Sequence, residues 1–257
     1  PGEYRSMFAV EERHWWYRGL REFLIAQVEG ALGTPSSRRR APRLLDAGCG
    51  TGMNLSALAG RGWEVFGVDA SPRALAFAKR RGAFPLRRAR IQSLPFPDAS
   101  FDLVYSMDVV YMLDRPELEA ALAELRRVLR PGGRLLLHCA TLQWLYSTHD
   151  EAVKTAERYA KGYLRQRLAA HGFEVERATY RMGLLFPLIA LGKLTQKFRV
   201  GSKPKSQVKG DVERTHPLLD ALLLPVVRLE NLLLRFIDLP IGSSVFLAGR
   251  KIPSPAS

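Results

Sequence analysis

The run Leu44-Leu45-Asp46-Ala47-Gly48-Cys49-Gly50-Thr51-Gly52 constrains this chain more than any other stretch. A short apolar strand enters a turn with glycine at alternate positions, where the backbone can bend tightly and approach a ligand closely. Met53 to Arg61 then reads as a helix, whose N-terminus favours negative charge. A second strand, Glu64 to Asp69, ends in a carboxylate about twenty residues after the turn, the spacing that lets an acid reach a pair of ribose hydroxyls. Strand, glycine turn, helix and acid-tipped strand together open a doubly wound α/β sheet that binds a nucleoside-bearing ligand at its carboxyl edge.

The rest of the chain repeats that alternation. Pro72 to Arg81 reads as helix and Phe101 to Met107 as strand. Glu117 to Leu129 is a helix with Leu118, Ala121, Leu122, Leu125 and Leu129 on one face. Pro131-Gly132-Gly133 stops it before a strand at Arg134 to Cys139. A helix over Asp150 to Ala170 and a strand over Phe173 to Tyr180 follow, with the last strand, Ser243 to Arg250, only about sixty residues later. The expected fold is α/β, a doubly wound, mostly parallel seven-stranded Rossmann-like sheet. Four parts are expected: an N-terminal helical cap and linker (1–42), a cofactor-binding core (43–180), a helical insertion (181–240) and a final strand with tail (241–257). The cap is read as one helix over Glu11 to Gln27.

Composition narrows the setting. At 257 residues with 47% hydrophobic content, one elaborated α/β domain can bury a full core. Cys49 and Cys139, the two cysteines, lack metal-ligand spacing and read as reduced thiols, with no metal site expected. Pro1 to Arg21 is charged and aromatic without a leader's apolar core, so the expected location is cytoplasmic. The formal charge of +14 suits an anionic partner, or reflects an arginine-rich composition with no partner at all.

Two details of the turn select among ligands. A dinucleotide site of the G-x-G-x-x-G kind has a third glycine where this chain has Met53. Asp46, just before the turn, would repel a pyrophosphate and suits an ammonium group.

Asp46 to Gly52, Asp69, Leu94-Pro95-Phe96 with Phe101-Asp102-Leu103-Val104, and Leu129-Arg130-Pro131-Gly132-Gly133 stand in the order and spacing of class I S-adenosylmethionine-dependent methyltransferases. The chain resembles that family over about Arg43 to Tyr180. The resemblance implies S-adenosyl-L-methionine as cofactor, with Gly48, Gly50 and Gly52 lining its methionine and ribose portion. It places Asp46 at the amino group, Asp69 at the ribose diol, Ala70 under the adenine, and Met107 with Asp108 near the sulfonium. Many relatives carry an acid where this chain has Arg90, which cannot accept a bond from the adenine amine; the side-chain oxygen of Gln92 is the substitute.

A narrower resemblance lies outside the core. Glu11-Glu12-Arg13-His14-Trp15-Trp16-Tyr17-Arg18, Ser147-Thr148-His149-Asp150-Glu151 and Arg158-Tyr159 are similar to signatures of a bacterial subgroup often tied to lipid, saccharide or secondary-metabolite pathways. Trp16 would then cover the cofactor mouth, with Arg18 available to the cofactor carboxylate; the alternative is that Trp15 and Trp16 staple the helix to the domain. His149 is a candidate general base or acceptor-orienting group, and Asp150 either meets the acceptor or caps a helix. Tyr159 either reaches the acceptor or packs in the core. Relatives often show Glu-His where this chain has Tyr111-Met112, which leaves His149, Tyr111 and His14 as candidate bases. His138, inside a strand, reads as a satisfied core histidine.

No Asn/Asp-Pro-Pro-aromatic segment follows Ser106-Met107-Asp108-Val109, and there is no Pro-Cys nucleophile. These absences favour a small-molecule or lipid-like methyl acceptor over nucleic acid. The alternative reading is a non-catalytic protein on the same fold that holds RNA or another polyanion. In the insertion, Leu184 to Leu191 is apolar and Lys193, Lys197, Arg199, Lys203, Lys205 and Lys209 follow. Pro217 to Ile237 then reads as an amphipathic helix. Leu219, Leu222, Leu223, Val226, Leu233 and Phe236 form its apolar stripe, and Asp220, Arg228, Glu230, Asn231 and Arg235 its polar side. That pattern fits peripheral contact with a membrane, and equally packing on the chain's own domain or a second subunit in a homodimer.

Overall fold

The computed structural model describes residues 3–34, 40–141, 157–191 except 189, and 217–253. Seven strands form one sheet: β1 (Arg43–Ala47), β2 (Glu64–Asp69), β3 (Leu86–Arg88), β4 (Phe101–Met107), β5 (Leu129–Ala140), β6 (Phe173–Arg181) and β7 (Ser244–Lys251). Their order is β3-β2-β1-β4-β5-β7-β6. The first five pair in parallel, and β7 runs antiparallel to both β5 and β6. The expected mostly parallel sheet of seven strands is therefore present, and the carboxyl ends of β1, β2, β4, β5 and β6 share one edge with the start of β7.

Helices cover both faces. α1 (Glu3–Val10), α2 (Trp15–Leu32), α3 (Met53–Ala59), α4 (Pro72–Arg81), α5 (Arg115–Val128), α6 (Lys161–Ala170) and α7 (Pro217–Leu233) follow the chain. On one face α5 and α6 bury Leu118, Leu122, Leu125, Leu164 and Leu168 against Leu45, Val104, Leu135 and Leu247. On the other, Leu20, Phe23, Leu24 and Val28 of α2 pack with Leu55 and Leu58 of α3 on Leu44, Leu103, Tyr105, Leu136 and Phe246. Buried aliphatic side chains stabilise by about 1.5–3 kcal/mol each, so each strand carries apolar residues on both faces, as a doubly covered sheet requires.

Three boundaries differ from the sequence reading, each for a local reason. The N-terminal cap is two helices, because His14 caps α2: its Nδ1 accepts from the Trp16 amide at 3.2 Å and its backbone is extended. The loop Pro131-Gly132-Gly133 lies within β5, which starts at Leu129 and resumes its register at Arg134 after an irregularity opposite Phe101 and Leu103. Only Lys161–Ala170 of the expected Asp150–Ala170 helix is described as helix; residues 157–160 are not helical, and 150–156 lie outside the described residues. Elsewhere α5 begins within two residues of the expected Glu117, at Arg115, behind a capping box between Asp114 and Glu117.

The insertion joins the N-terminal cap rather than standing apart. A Cβ at Gly19 would lie 2.3 Å from Val227 Cγ1, so glycine is what lets α2 and α7 touch. Asn231 donates to the Gly19 carbonyl at 2.9 Å, and Asp220 accepts from the Trp15 amide at 3.0 Å. The amphipathic pattern of α7 leaves its inner face open, and the structure sets it. Asp220, Glu230 and Asn231, read as part of the polar side, face inward as hydrogen-bond partners, while Leu219, Leu222 and Phe236 of the apolar stripe are exposed.

Candidate active site

The glycine turn is held open for a ligand. Gly48, Gly50 and Gly52 have φ of 96°, 52° and 79°, a region that costs a side-chain-bearing residue energy. A Cβ at Gly48 would come within 2.3 Å of Val109 Cγ2. The turn is tied to β2, with the amides of Gly48 and Cys49 donating to the Val68 carbonyl at 2.9 and 2.8 Å. Asp69 accepts from the Gly50 amide at 2.9 Å and from the Ser71 amide at 2.8 Å. Those bonds aim its half-buried carboxylate along the lip of the turn, with lone pairs left over.

Asp46 is buried at the end of β1, and its Oδ2 has no hydrogen-bond partner among the described residues. Burial, reinforced by the Asp69 charge and opposed by Tyr105, pushes its carboxyl well above the usual range. Burial likewise raises Asp69, against its two backbone bonds. An orphaned buried carboxylate is costly and suits a cationic ligand group that satisfies it. The Gln92 Nε2 is likewise buried without a partner among the described residues. In this orientation the amide presents a donor, and a flip presents the acceptor expected from the sequence. Arg90 points to Glu117, 3.0 Å away, and is exposed. Ala70 is exposed after Asp69, and Met107 is buried at the end of β4. The donor set thus fits a nucleoside ligand bearing an ammonium group.

The N-terminal cap reaches the turn by a route the sequence did not suggest. Glu11, buried at the end of α1, accepts from the Thr51 hydroxyl and from Arg81 at 2.7 Å. Burial raises its carboxyl despite both bonds. A Cβ at Gly50 would sit 3.3 Å from Met7 Cε, so α1 lies directly over the loop. Trp16 packs against the cluster containing Cys49 and Met107 and against a second one formed by Met182, Leu185 and Val227, where Trp15 joins it. Both tryptophans thus pack the cap onto the domain, Trp16 beside Cys49 and Met107, and Arg18 is half-buried on the same helix. No helical period signals the Glu11–Thr51–Arg81 group, because its members are remote in sequence.

On the acceptor side the structure sorts the candidates. His14 spends Nδ1 on its cap and stacks on Trp15 at 5.6 Å; burial lowers its pKa, against the pull of Asp220. Tyr111 lies in a short 3-10 turn, Val110–Met112, half-buried against the β4–α5 side of the core. Tyr159 is buried, donates to the Leu113 carbonyl at 2.8 Å and stacks on Tyr163, which is the packing role. Arg158 donates to the Thr141 carbonyl at 2.8 Å. His149 and Asp150 lie outside the described residues. His138 is buried and satisfied on both ring nitrogens, by Asp108 at 3.1 Å and Ser244 at 3.0 Å.

That pair brings forward a residue the sequence reading left in the background. Asp108 follows β4 directly, has a left-handed φ of 59°, and is partly exposed at the edge beside Met107. Non-glycine residues held this way are uncommon and concentrate at functional sites. Arg181, buried at the carboxyl end of β6, lies in the same field; burial pushes it down to about 10 against the pull of Glu230 and Asp108. Its guanidinium stacks over Phe23 at 4.2 Å and donates to Asn231 at 2.9 Å. The two thiols are buried and raised by burial, so neither is a nucleophile.

Residues 45–137 match the family model described as a methyltransferase domain. A malonyl-[acyl-carrier protein] O-methyltransferase of Serratia marcescens is 38% identical over 140 residues, covering 53% of this chain and 53% of its own. The chain spans about half the length of the curated relatives it matches. Among solved structures, a chain from the complex between the Haloferax volcanii Trm112 methyltransferase activator and a methyltransferase aligns with TM-score 0.60 at 19% identity, over 100% of this chain and 96% of that one. A geranyl diphosphate methyltransferase solved with geranyl diphosphate and sinefungin aligns with TM-score 0.57 at 18% identity, over 88% and 78%. The fold is that of class I methyltransferases.

Proposed function

We propose that this chain, whose residues 45–137 match the model of a methyltransferase domain, transfers a methyl group from S-adenosyl-L-methionine to a small-molecule or lipid-like acceptor. The observation that carries the reading is the buried Asp46 Oδ2, without a partner among the described residues, beside the left-handed glycine turn and the acid tip of β2. Asp46 takes the ammonium of the donor, Gly48, Gly50 and Gly52 admit its backbone-close portion, and Asp69 takes the ribose diol. Ala70 and Gln92 border the adenine, Met107 lies under the reacting end, and Trp16 with Arg18 covers the mouth. When bound, the donor supplies an electrophilic methyl group already activated by its sulfonium.

The chain's own residues then position the acceptor and, where it arrives protonated, remove its proton. Asp108 suits that work: His138 fixes one carboxylate oxygen, and the side chain stays partly exposed at the binding edge. Tyr111 and His149 remain proposals for orienting the acceptor. The acceptor class is supported by the names of the relatives, which act on an acyl-carrier-bound malonyl group or on geranyl diphosphate. Calorimetry with S-adenosylmethionine and its demethylated product, followed by a tritiated-methyl screen of acyl, prenyl and saccharide acceptors, tests the reading. Micromolar binding with transfer supports it. Binding of NADH in place of the methyl donor overturns it, and so does nanomolar RNA binding with a steep salt slope and no transfer.

A further inference from the structure

β4 carries a tyrosine where its sheet face asks for an aliphatic residue. Alternation along the strand sends Leu103, Tyr105 and Met107 to one face, where they pack with Leu20, Phe23 and Leu24 of α2 and with Leu55 and Leu58 of α3. Tyr105 is fully buried there, and its hydroxyl has no hydrogen-bond partner among the described residues. A bare buried hydroxyl destabilises a core that phenylalanine would fill without loss, so it needs a reason other than packing.

The neighbouring strand supplies that reason. In the parallel register of β1 and β4, Leu44 pairs with Leu103 and Asp46 with Tyr105. The carboxylate and the phenol therefore stand on the same face of adjacent strands, and the Asp46 Oδ2 is buried without a partner as well. Burial raises both groups. The phenol draws the Asp46 carboxyl down against it, while Asp46 and then Cys49 push the phenol higher. The other titratable groups that bear on Asp46 are Asp69 at the tip of β2 and Cys49 in the turn. α3 has no titratable residue, and α2 meets this cluster with Trp16, Leu20, Phe23 and Leu24. An ionised Asp69 only accepts hydrogen bonds and a thiol donates weakly, so the Tyr105 hydroxyl is the strong donor facing Asp46.

We infer that Tyr105 is a positioning residue of the cofactor site, whose hydroxyl donates to Asp46 and holds its carboxylate in the ionised form that receives the ammonium of the methyl donor. The inference rests on Asp46 as the ammonium site. A hydrogen bond to the charged form of a carboxyl favours that form, so the phenol offsets part of what burial opposes.

Calorimetry of the full chain with S-adenosylhomocysteine, which bears the same ammonium and has no methyl to transfer, tests this. Tyr105→Phe should weaken binding by about tenfold near neutral pH, the size of one lost bond to a charged acceptor. The ratio to the parent should shrink as pH rises, because Asp46 then ionises without the phenol. Asp46→Asn should also lose affinity, and adding Tyr105→Phe to it should change nothing further. The Tm of the cofactor-free protein should hold or rise in Tyr105→Phe, since the hydroxyl removed is bare. If Asp46→Asn binds as the parent does, the ammonium site is misplaced and the inference goes with it. If Asp46→Asn loses affinity while Tyr105→Phe does not, the ammonium site stands and the role of Tyr105 is overturned. A lower Tm with an equal loss of affinity at every pH, repeated in the asparagine background, also overturns it and makes Tyr105 a packing residue.

Discussion

The two ends of this sheet solve opposite problems with the same residue types. In the half built from β1 to β4, carboxylates stand at strand ends where a ligand can reach them, and α3 and α5 behind them bury only aliphatic side chains. In the half built from β6, α2 and α7, the polar groups Arg181, Glu230, Asn231 and Asp220 are inside, and the leucines are outside. The first half keeps unsatisfied charge for a small ligand. The second pairs the carboxylates of Asp220 and Glu230 internally and leaves hydrophobic area exposed. What a region leaves without a partner indicates what it binds.

If that contrast holds, substitutions in one half should change cofactor affinity and those in the other should change stability. The largest effect is expected for Asp69→Ala. It removes two charge-assisted bonds to the ribose, at about 1.5–3 kcal/mol each before water compensates. Calorimetry should show S-adenosylmethionine weakened by about a hundredfold or more; an unchanged Kd would break the assignment.

Glu230→Ala is the counterpart. It strips the acceptor from two backbone amides and the counter-charge from Arg181, at about 3–5 kcal/mol of folding stability. Urea unfolding should move sharply while cofactor affinity barely changes. Equal losses in both measurements would mean the halves are not separable.

A pH titration sharpens the same point. The Asp46 and Asp69 carboxyls are raised in the fold. The stability they contribute is therefore present below the ordinary carboxylate pKa and lost as pH rises through their raised values. Asp46→Asn should consequently stabilise the cofactor-free protein at neutral and higher pH. In the parent, ammonium binding requires Asp46 ionised, so cofactor affinity should climb up to about tenfold per pH unit below that raised pKa. Calorimetry in buffers of differing ionisation heat should detect proton release, and the asparagine variant should abolish it. Smallest is His14→Ala, about 1 kcal/mol from a lost helix cap, read as a lower Tm.

The cofactor half was largely legible in the sequence because its signals are local. The turn and the acid tip each lie within a few residues, and the strands they border came out within a residue or two. The expected architecture, down to the insertion between the last two strands, follows from that alternation. What escaped was non-local. The Glu11–Thr51–Arg81 group joins three elements, and the Asp108–His138–Ser244 chain joins β4, β5 and β7. For α7, a period of 3.6 marks two faces and does not say which is inside. Leucines and charges both stand at helical spacing there, and the buried partners of Glu230 and Asn231 decide the orientation.

The position of β7 sets the timetable of folding. Residues 244–251 enter between β5 (129–140) and β6 (173–181), so two interior ladders wait on a segment made long after both neighbours. Domains begin to organise from the N-terminal side during synthesis, and contacts of long sequence separation form late. Until β7 arrives, β5 and β6 each expose a row of unpaired backbone groups, and the Asp108–His138 pair lacks Ser244. The glycine turn can form while the sheet is still open on that side. Nascent chains should therefore acquire a cofactor pocket before they acquire resistance to aggregation, and that interval is when the growing protein most needs a chaperone.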